Sequence, residues 1–459
     1  MLSLRQNTIC LSLALASLWA CSDDDNTDDK TKSDAAAVEV GDAGDETKPD
    51  AGEPTGGNDK SILPIVFVHG FAGSASQFDS QAQRLVANGY PADKLSAFDH
   101  DGAGLDIPGF ADQLDVVIEE VLKKFNVSQI YLIGHSRGTS VSNTYLENPE
   151  RAKKIAKVVL LDGRPCGTIV PCDAPNQVSL PGQAHVEVAT SKESFKRWYK
   201  FLFDKEATVL DIVKQDGPVE ISGRAVNFPA NTGRKGQTLE VYEVAQATGV
   251  RVGNAVKSFT IPESGEWGPV TVDPDKYYEL VLTSETAGAY QHFYFQRFLR
   301  STKFVRLLSG PPDSPSRVNT NAGPAHAALT LIRMREWYGP GTAGKTPDEL
   351  KITVKGGPGG DVEVANAITP DVATNRIALY LHDDAATPKM TTLKPLPYFP
   401  SQPFQTGLDV YVPASDPPNA TISVTNIQRG ETGKPQVLNM PNFASDKHTL
   451  MVSFADFAQ

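Results

Sequence analysis

The chain has 459 residues, enough for two or three hydrophobic cores, and a net charge of −12 at pH 7. Thirteen acidic and five basic residues fall in the first 60 positions, so −8 belongs to that stretch and only −4 to everything after it. A nearly neutral body without a basic run has no electrostatic footprint for nucleic acid, and that partner class is excluded.

Met1 to Ala20 carries an early Arg5 and an apolar run from Ile9 to Trp19, too short to span a bilayer and suited to a signal peptide. The protein is therefore expected to be exported. Leu18-Trp19-Ala20-Cys21 looks like a bacterial lipobox, although Trp19 stands where a small residue is usual. It implies a lipoprotein-type signal over 1–21, lipidation at Cys21 and membrane association at the outer membrane or cell surface, with plain secretion as the alternative. Residues 22–60 are rich in Asp, Thr, Gly, Ala and Pro and nearly free of large apolar side chains, so they read as an acidic disordered tether. With Cys10 in the signal and Cys21 assigned to lipid, Cys166 and Cys172 remain. Their spacing lacks the CxxC clusters of a metal site, and an exported chain favours a disulfide, worth about 2 kcal/mol for so short a loop.

From Ser61 a β-rich run ends at His69-Gly70-Phe71-Ala72-Gly73-Ser74, a strand opening into a glycine turn. A helical pattern over about 76–87 and a short strand at 95–98 follow. Leu114, Val117, Ile118, Val121, Leu122 and Phe125 then make one apolar helical face. The apolar run Ile130 to Ile133 stops at Gly134-His135-Ser136-Arg137-Gly138, and Thr139 to Leu146 continues as helix. Such a strand, sharp turn and helix lift a serine hydroxyl above the sheet edge, and the glycines let strand and helix pass closely. Ile155 to Leu161 makes a further strand. Strands alternating with helices predict a parallel sheet flanked by helices.

Val68-His69-Gly70, Gly134-His135-Ser136-Arg137-Gly138 and the loop Pro181-Gly182-Gln183-Ala184-His185 together resemble α/β-hydrolase lipases over Ser61 to Glu206. The resemblance implies Ser136 as nucleophile, the backbone amides of Phe71 and Arg137 as oxyanion donors, and an acid followed by a histidine. His185 is the only histidine after Ser136 within the βα-patterned region. His69 and His135 flank glycines and read as shaping the elbow and pocket. Among Glu147, Glu150, Asp162 and Asp173, the first two belong to the nucleophile helix or its end. Asp162 ends a buried strand, which fixes a carboxylate better than the loop holding Asp173, so Asp162 is the expected acid. The family's acid usually comes one strand later, and only 22 residues separate Asp162 from His185, leaving little room for a large lid. No metal or organic cofactor is implied.

Beyond residue 206 the pattern turns to period-2 strands, with Leu239 and Val241, Tyr278, Leu280 and Leu282, Ile377, Leu379 and Leu381, Leu408, Val410 and Val412, and Leu450, Val452 and Phe454 as inward positions. A β-sandwich over 207–285 and a second β domain over 286–459 are expected, similar to the lipid-binding β domains that follow the head of long-chain lipases. The aromatic stretch Tyr290 to Leu299 reads either as a fat-contacting surface or as a buried strand or interdomain seam. The expected protein is an α/β-hydrolase head at 61–206 followed by two all-β domains, acting on lipid or other ester substrates. Its alternatives are a polyester depolymerase, a short-chain carboxylesterase and, in a different class, a catalytically silent surface adhesin.

Overall fold

A computed structural model describes residues 61–167, 170–284, 288–310, 321–339, 346–357, 360–364, 366–369, 376–399, 403–429 and 433–459. The expected signal peptide, Cys21 and the tether lie outside the described residues. Among the described residues no helix is long and apolar enough to cross a membrane.

The head opens with β1 (Ile65–Val68), four consecutive apolar residues that are all fully buried, as a strand covered on both faces requires. After it come α1 (Asp79–Ala87), β2 (Leu95–Phe98), α2 (Ile107–Phe125), β3 (Ile130–His135), α3 (Arg137–Leu146), α4 (Pro149–Ala152), β4 (Ile155–Leu161), β5 (Cys172–Asp173), α5 (Glu187–Thr190) and α6 (Lys192–Phe203). The strands form one parallel sheet in the order β2-β1-β3-β4-β5. Alternate side chains feed two cores. Val66, Val68, Leu132 and Leu160 pack with Leu114 and Ile118 of α2 and Val141 and Tyr145 of α3. Ile65, Phe67, Ile133 and Val159 pack with Phe195 and Trp198 of α6. The expected parallel sheet with helices on both faces is what forms. The strand order reverses between β1 and β3, which places a crevice at their carboxyl ends. Cys166 and Cys172 are joined as a disulfide, their Cα atoms 6.1 Å apart.

Among the described residues, the remainder is built from three further sheets. The largest has eight strands in the order Gln405–Asp409, Arg376–His382, Leu329–Trp337, His448–Phe454, Ala289–Phe295, Tyr277–Ser284, Thr238–Val244 and Lys257–Thr260. Both of its faces are used. Leu450 and Val452 enter a core with Ile352 and Val424 of one smaller sheet, whereas the intervening Met451 joins Phe293, Ile221 and Val305 in a core with the other. The division expected at 285/286 separates two neighbouring strands, because Tyr277–Ser284 pairs antiparallel with Ala289–Phe295. Strands from both sides of that position therefore belong to one sheet. The aromatic stretch begins as the strand Ala289–Phe295, held between two neighbours. Phe293 and Tyr294 are buried in different cores, whereas Tyr290 is 38% exposed and Phe295 half-buried. A buried strand is thus the reading that holds for its first half.

Head and β region are locked at Asp99, directly after β2. Its carboxylate accepts from Arg224 at 2.9 Å, Arg306 at 2.8 Å and the Ala75 amide at 2.7 Å, with 3% of the side chain exposed. Burial alone would raise its pKa, but Arg306, His69, Arg224 and the amide outweigh it and hold the carboxyl well below its ordinary range. A depressed carboxyl stabilises the fold above its unfolded pKa, about 3.9, and loses that contribution as pH falls toward the folded value. Asp99→Asn is therefore expected to cost about 3 kcal/mol at neutral pH by stranding two arginines. Urea midpoints of wild type and variant should converge below about pH 4; a gap that does not change with pH would refute the electrostatic account.

Candidate active site

Ser136 sits between β3 and α3 with φ 52° and ψ −121°, a conformation that non-glycine residues seldom adopt. The strain persists because the flanking glycines permit contacts that no larger residue allows. A Cβ on Gly70 would lie 2.8 Å from the Ser136 Cβ, and one on Gly138 would collide with the Val68 carbonyl oxygen. The helix that follows Ser136 thus rests directly on the end of β1. It begins at Arg137, two residues earlier than the sequence pattern suggested. The Arg137 guanidinium donates to the Asp101 carbonyl at 2.7 Å and to that of Gly104, and lies 5.1 Å from the Phe71 ring centre. Residues 71 and 137 are consequently held against each other, and Phe71 lines the pocket that contains Ser136.

His185 lines that same pocket. Its Nδ1 lies 2.7 Å from Asp162 Oδ2. Asp162 also accepts from the Gln177 amide at 3.2 Å and from Gln177 Nε2 at 3.1 Å. Partial burial would raise the Asp162 carboxyl, but the His185 hydrogen bond and charge, with the two bonds from Gln177, hold it below its ordinary value. The carboxylate stands at the end of β4 with φ 42°. Asp173 is engaged elsewhere: both its oxygens pair with Arg197, at 3.0 and 2.7 Å. Geometry therefore brings together Ser136, His185 and Asp162, and leaves Asp173 apart.

The flanking histidines are structural partners of the site. Gln77 Nε2 donates to His135 Nδ1 at 2.7 Å, so His135 Nε2 carries the proton and donates to the His185 carbonyl at 3.0 Å. Burial pushes the His135 pKa down to about 3, which keeps it neutral and preserves this tautomer. His69 is likewise buried, with Nδ1 donating to the Gly70 carbonyl at 2.8 Å, and burial lowers its pKa to about 3.

The β region closes the pocket from the other side. Met334, Ile377 and Phe404 complete its wall, and the Phe404 ring stacks on His185 at 5.8 Å. Behind His185, the fully buried Glu336 accepts from the amides of Val186 and Glu187, the latter at 3.1 Å. Glu187 in turn pairs with Arg335 and Arg429, each at 2.8 Å, and accepts from the Ala184 amide. The segment carrying His185 is therefore held on both ends by residues that follow it by about 150 positions or more. None of Gln77, Gln177, Glu336 or Phe404 was singled out in the sequence. Only Gln177 had an available signal, since it lies in the short loop between Asp162 and His185.

A strained serine at a strand-to-helix turn, with a histidine and an acid later in the chain, defines this head as an α/β-hydrolase domain. Residues 64–192 match the α/β hydrolase fold model, 217–312 the lipase C-terminal domain model, and 316–458 a further C-terminal-domain model. The head has the α/β-hydrolase fold, and the strands that follow it are similar to lipase-type C-terminal domains. The chain is 27% identical over 136 residues to an sn-1-specific diacylglycerol lipase of Xenopus tropicalis, covering 29% of this chain and 42% of that protein. It is 35% identical over 111 residues to ethanol acetyltransferase 1 of Cyberlindnera fabianii, covering 24% and 32%. These matches span less than half the length of either relative. Among solved structures, a Bacillus licheniformis lipase is 24% identical, with 24% of this chain and 45% of that one covered at a TM-score of 0.20.

Proposed function

We propose that the protein is a serine carboxylic-ester hydrolase, a lipase that cleaves acylglycerol esters through an acyl-enzyme. The observation that carries this reading is the 2.7 Å bond between His185 and Asp162 beside a strained Ser136 in one pocket. In this mechanism His185 Nε2 takes the proton from Ser136 Oγ as the oxygen attacks the ester carbonyl. The amides of Phe71 and Arg137 stabilise the oxyanion, and His185 returns the proton to the departing alcohol. Water, activated by the same imidazole, then releases the acid. Asp162 orients the ring and stabilises the imidazolium. The apolar wall from the β region supports an acyl chain as the part of the substrate it meets. The lipobox-like Leu18 to Cys21 supports export with a lipid anchor at the cell surface.

A fluorophosphonate probe tests the reading. Wild type is expected to label on Ser136, located by peptide mass spectrometry, and Ser136→Ala is expected not to label. No labelling of wild type, or equal labelling of both proteins, would overturn the serine mechanism and favour the silent adhesin.

A further inference from the structure

A second cavity, of about 280 Å³, lies between the eight-stranded sheet on one side and Phe228, Leu308, Ser309 and the head's Ala72 on the other. Ala72, Met334, Ile377 and Phe404 line both it and the pocket of Ser136, so the two spaces adjoin. Strand periodicity explains its lining. On Leu329–Trp337 the outward alternation Leu329 and Leu331 feeds a core, leaving Thr330, Ile332 and Met334 to face the cavity. On Arg376–His382, Leu379 and Leu381 do the same, leaving Ala378, Tyr380 and His382.

This lining is not uniformly apolar. Gln291 is 5% exposed and His382 2% exposed, and Gln291 Oε1 and His382 Nδ1 have no hydrogen-bond partner among the described residues. Buried polar atoms are normally satisfied, so two orphans in one cavity beside a catalytic pocket point to a ligand. A plain hydrocarbon chain would leave both unpaired at a cost. A hydroxyl can satisfy either atom: it donates to Gln291 Oε1, and it donates to or accepts from His382 Nδ1 according to the ring's tautomer. The two residues stand three strands apart in the sheet, so one hydroxyl meets one of them. A carbonyl or ether oxygen only accepts, and offers nothing to the Gln291 oxygen.

We propose that this cavity is a subsite for an acyl chain that bears a hydroxyl group remote from the scissile ester, recognised by Gln291 or by His382 according to its place on the chain. The inference rests on the ester-hydrolase reading and narrows its substrate to hydroxyacyl esters. The bond broken is still the ester bond, and the remote hydroxyl takes no part in the chemistry.

The test is a series of para-nitrophenyl dodecanoates in which one hydroxyl is moved along the chain, compared with the unsubstituted ester. At one position or a narrow range of positions, wild-type kcat/KM should exceed that for the plain ester by about tenfold, the gain expected from one buried hydrogen bond. Gln291→Leu combined with His382→Phe should bring that ratio to about unity; the ratio is read within one protein, so a general loss of activity cancels. Should the double variant fail to fold, the thermal shift of Ser136→Ala with free hydroxydodecanoic acid against dodecanoic acid replaces it, with the larger shift expected for the hydroxy acid. A wild type that favours the plain ester at every position, a ratio that survives the double substitution, or equal thermal shifts would overturn the subsite. Absence of hydrolysis for every ester together with absence of fluorophosphonate labelling would instead overturn the ester-hydrolase reading.

Discussion

Asp162→Asn is expected to lower kcat for an activated ester by about 10⁴-fold while leaving KM within a small factor, as when a triad carboxylate becomes an amide. The cause is the tautomer of His185. The carboxylate accepts from His185 Nδ1 and leaves Nε2 free to take the serine proton, and its depressed pKa keeps it ionised through the neutral range. An amide in its place offers its own N–H to Nδ1, moves the ring proton to Nε2 and removes the general base. It also discards the negative charge that stabilises the imidazolium in the transition state. Asp173→Asn is the matched control. Its carboxylate holds Arg197, whose side chain is 39% exposed, and the loss of such a surface pair should leave kcat/KM within about twofold. Steady-state kinetics on the two variants decide the matter, and a crippled Asp173→Asn beside an active Asp162→Asn would reverse the assignment.

Glu336→Leu is expected to reduce kcat about 10²-fold although residue 336 belongs to the β region and touches no reacting atom. Its carboxylate takes up the amides of Val186 and Glu187 directly behind the histidine. Without it two buried N–H groups lose their acceptor, at about 1–3 kcal/mol each, and the segment relaxes to recover partners. His185 is then displaced from Ser136, while the His135 bond still holds its carbonyl. Burial raises the Glu336 pKa and the two amides oppose that shift, so Glu336→Gln, which keeps one acceptor, should recover part of the rate. Single-turnover rates separate this positioning role from a change in ester binding. Rates for Glu336→Leu within twofold of wild type, in a protein that still melts cooperatively, would show that the head orders its histidine unaided.

The residues that were legible early share a physical property: their signals are local. Ser136 was marked by the glycines that its strained turn requires, and the helix of Leu114 to Phe125 by a stripe of apolar residues. Asp162 was preferred because a buried strand end fixes a carboxylate, and the head is small enough to leave few other partners for His185. The boundary expected at 285/286 was less informative, because a connection within one sheet and a domain junction share the same glycine-punctuated pattern. Its strands reveal their common sheet only through pairing across more than 150 residues, as Ala289–Phe295 does with His448–Phe454.

The parallel head, the strained serine at its elbow, and the order in which Asp162 and His185 follow were legible in the sequence, since sterics and short-range periodicity act along the chain. Only the tertiary structure decided what stands around them. Glu336 behind His185, Phe404 against its ring, and Gln291 and His382 facing one cavity all depend on which face each β strand turns toward the head. A shift of one residue in register would exchange every one of those side chains for its neighbour. That choice is made by the cores on the opposite faces of the sheet, and no local pattern in the chain records it.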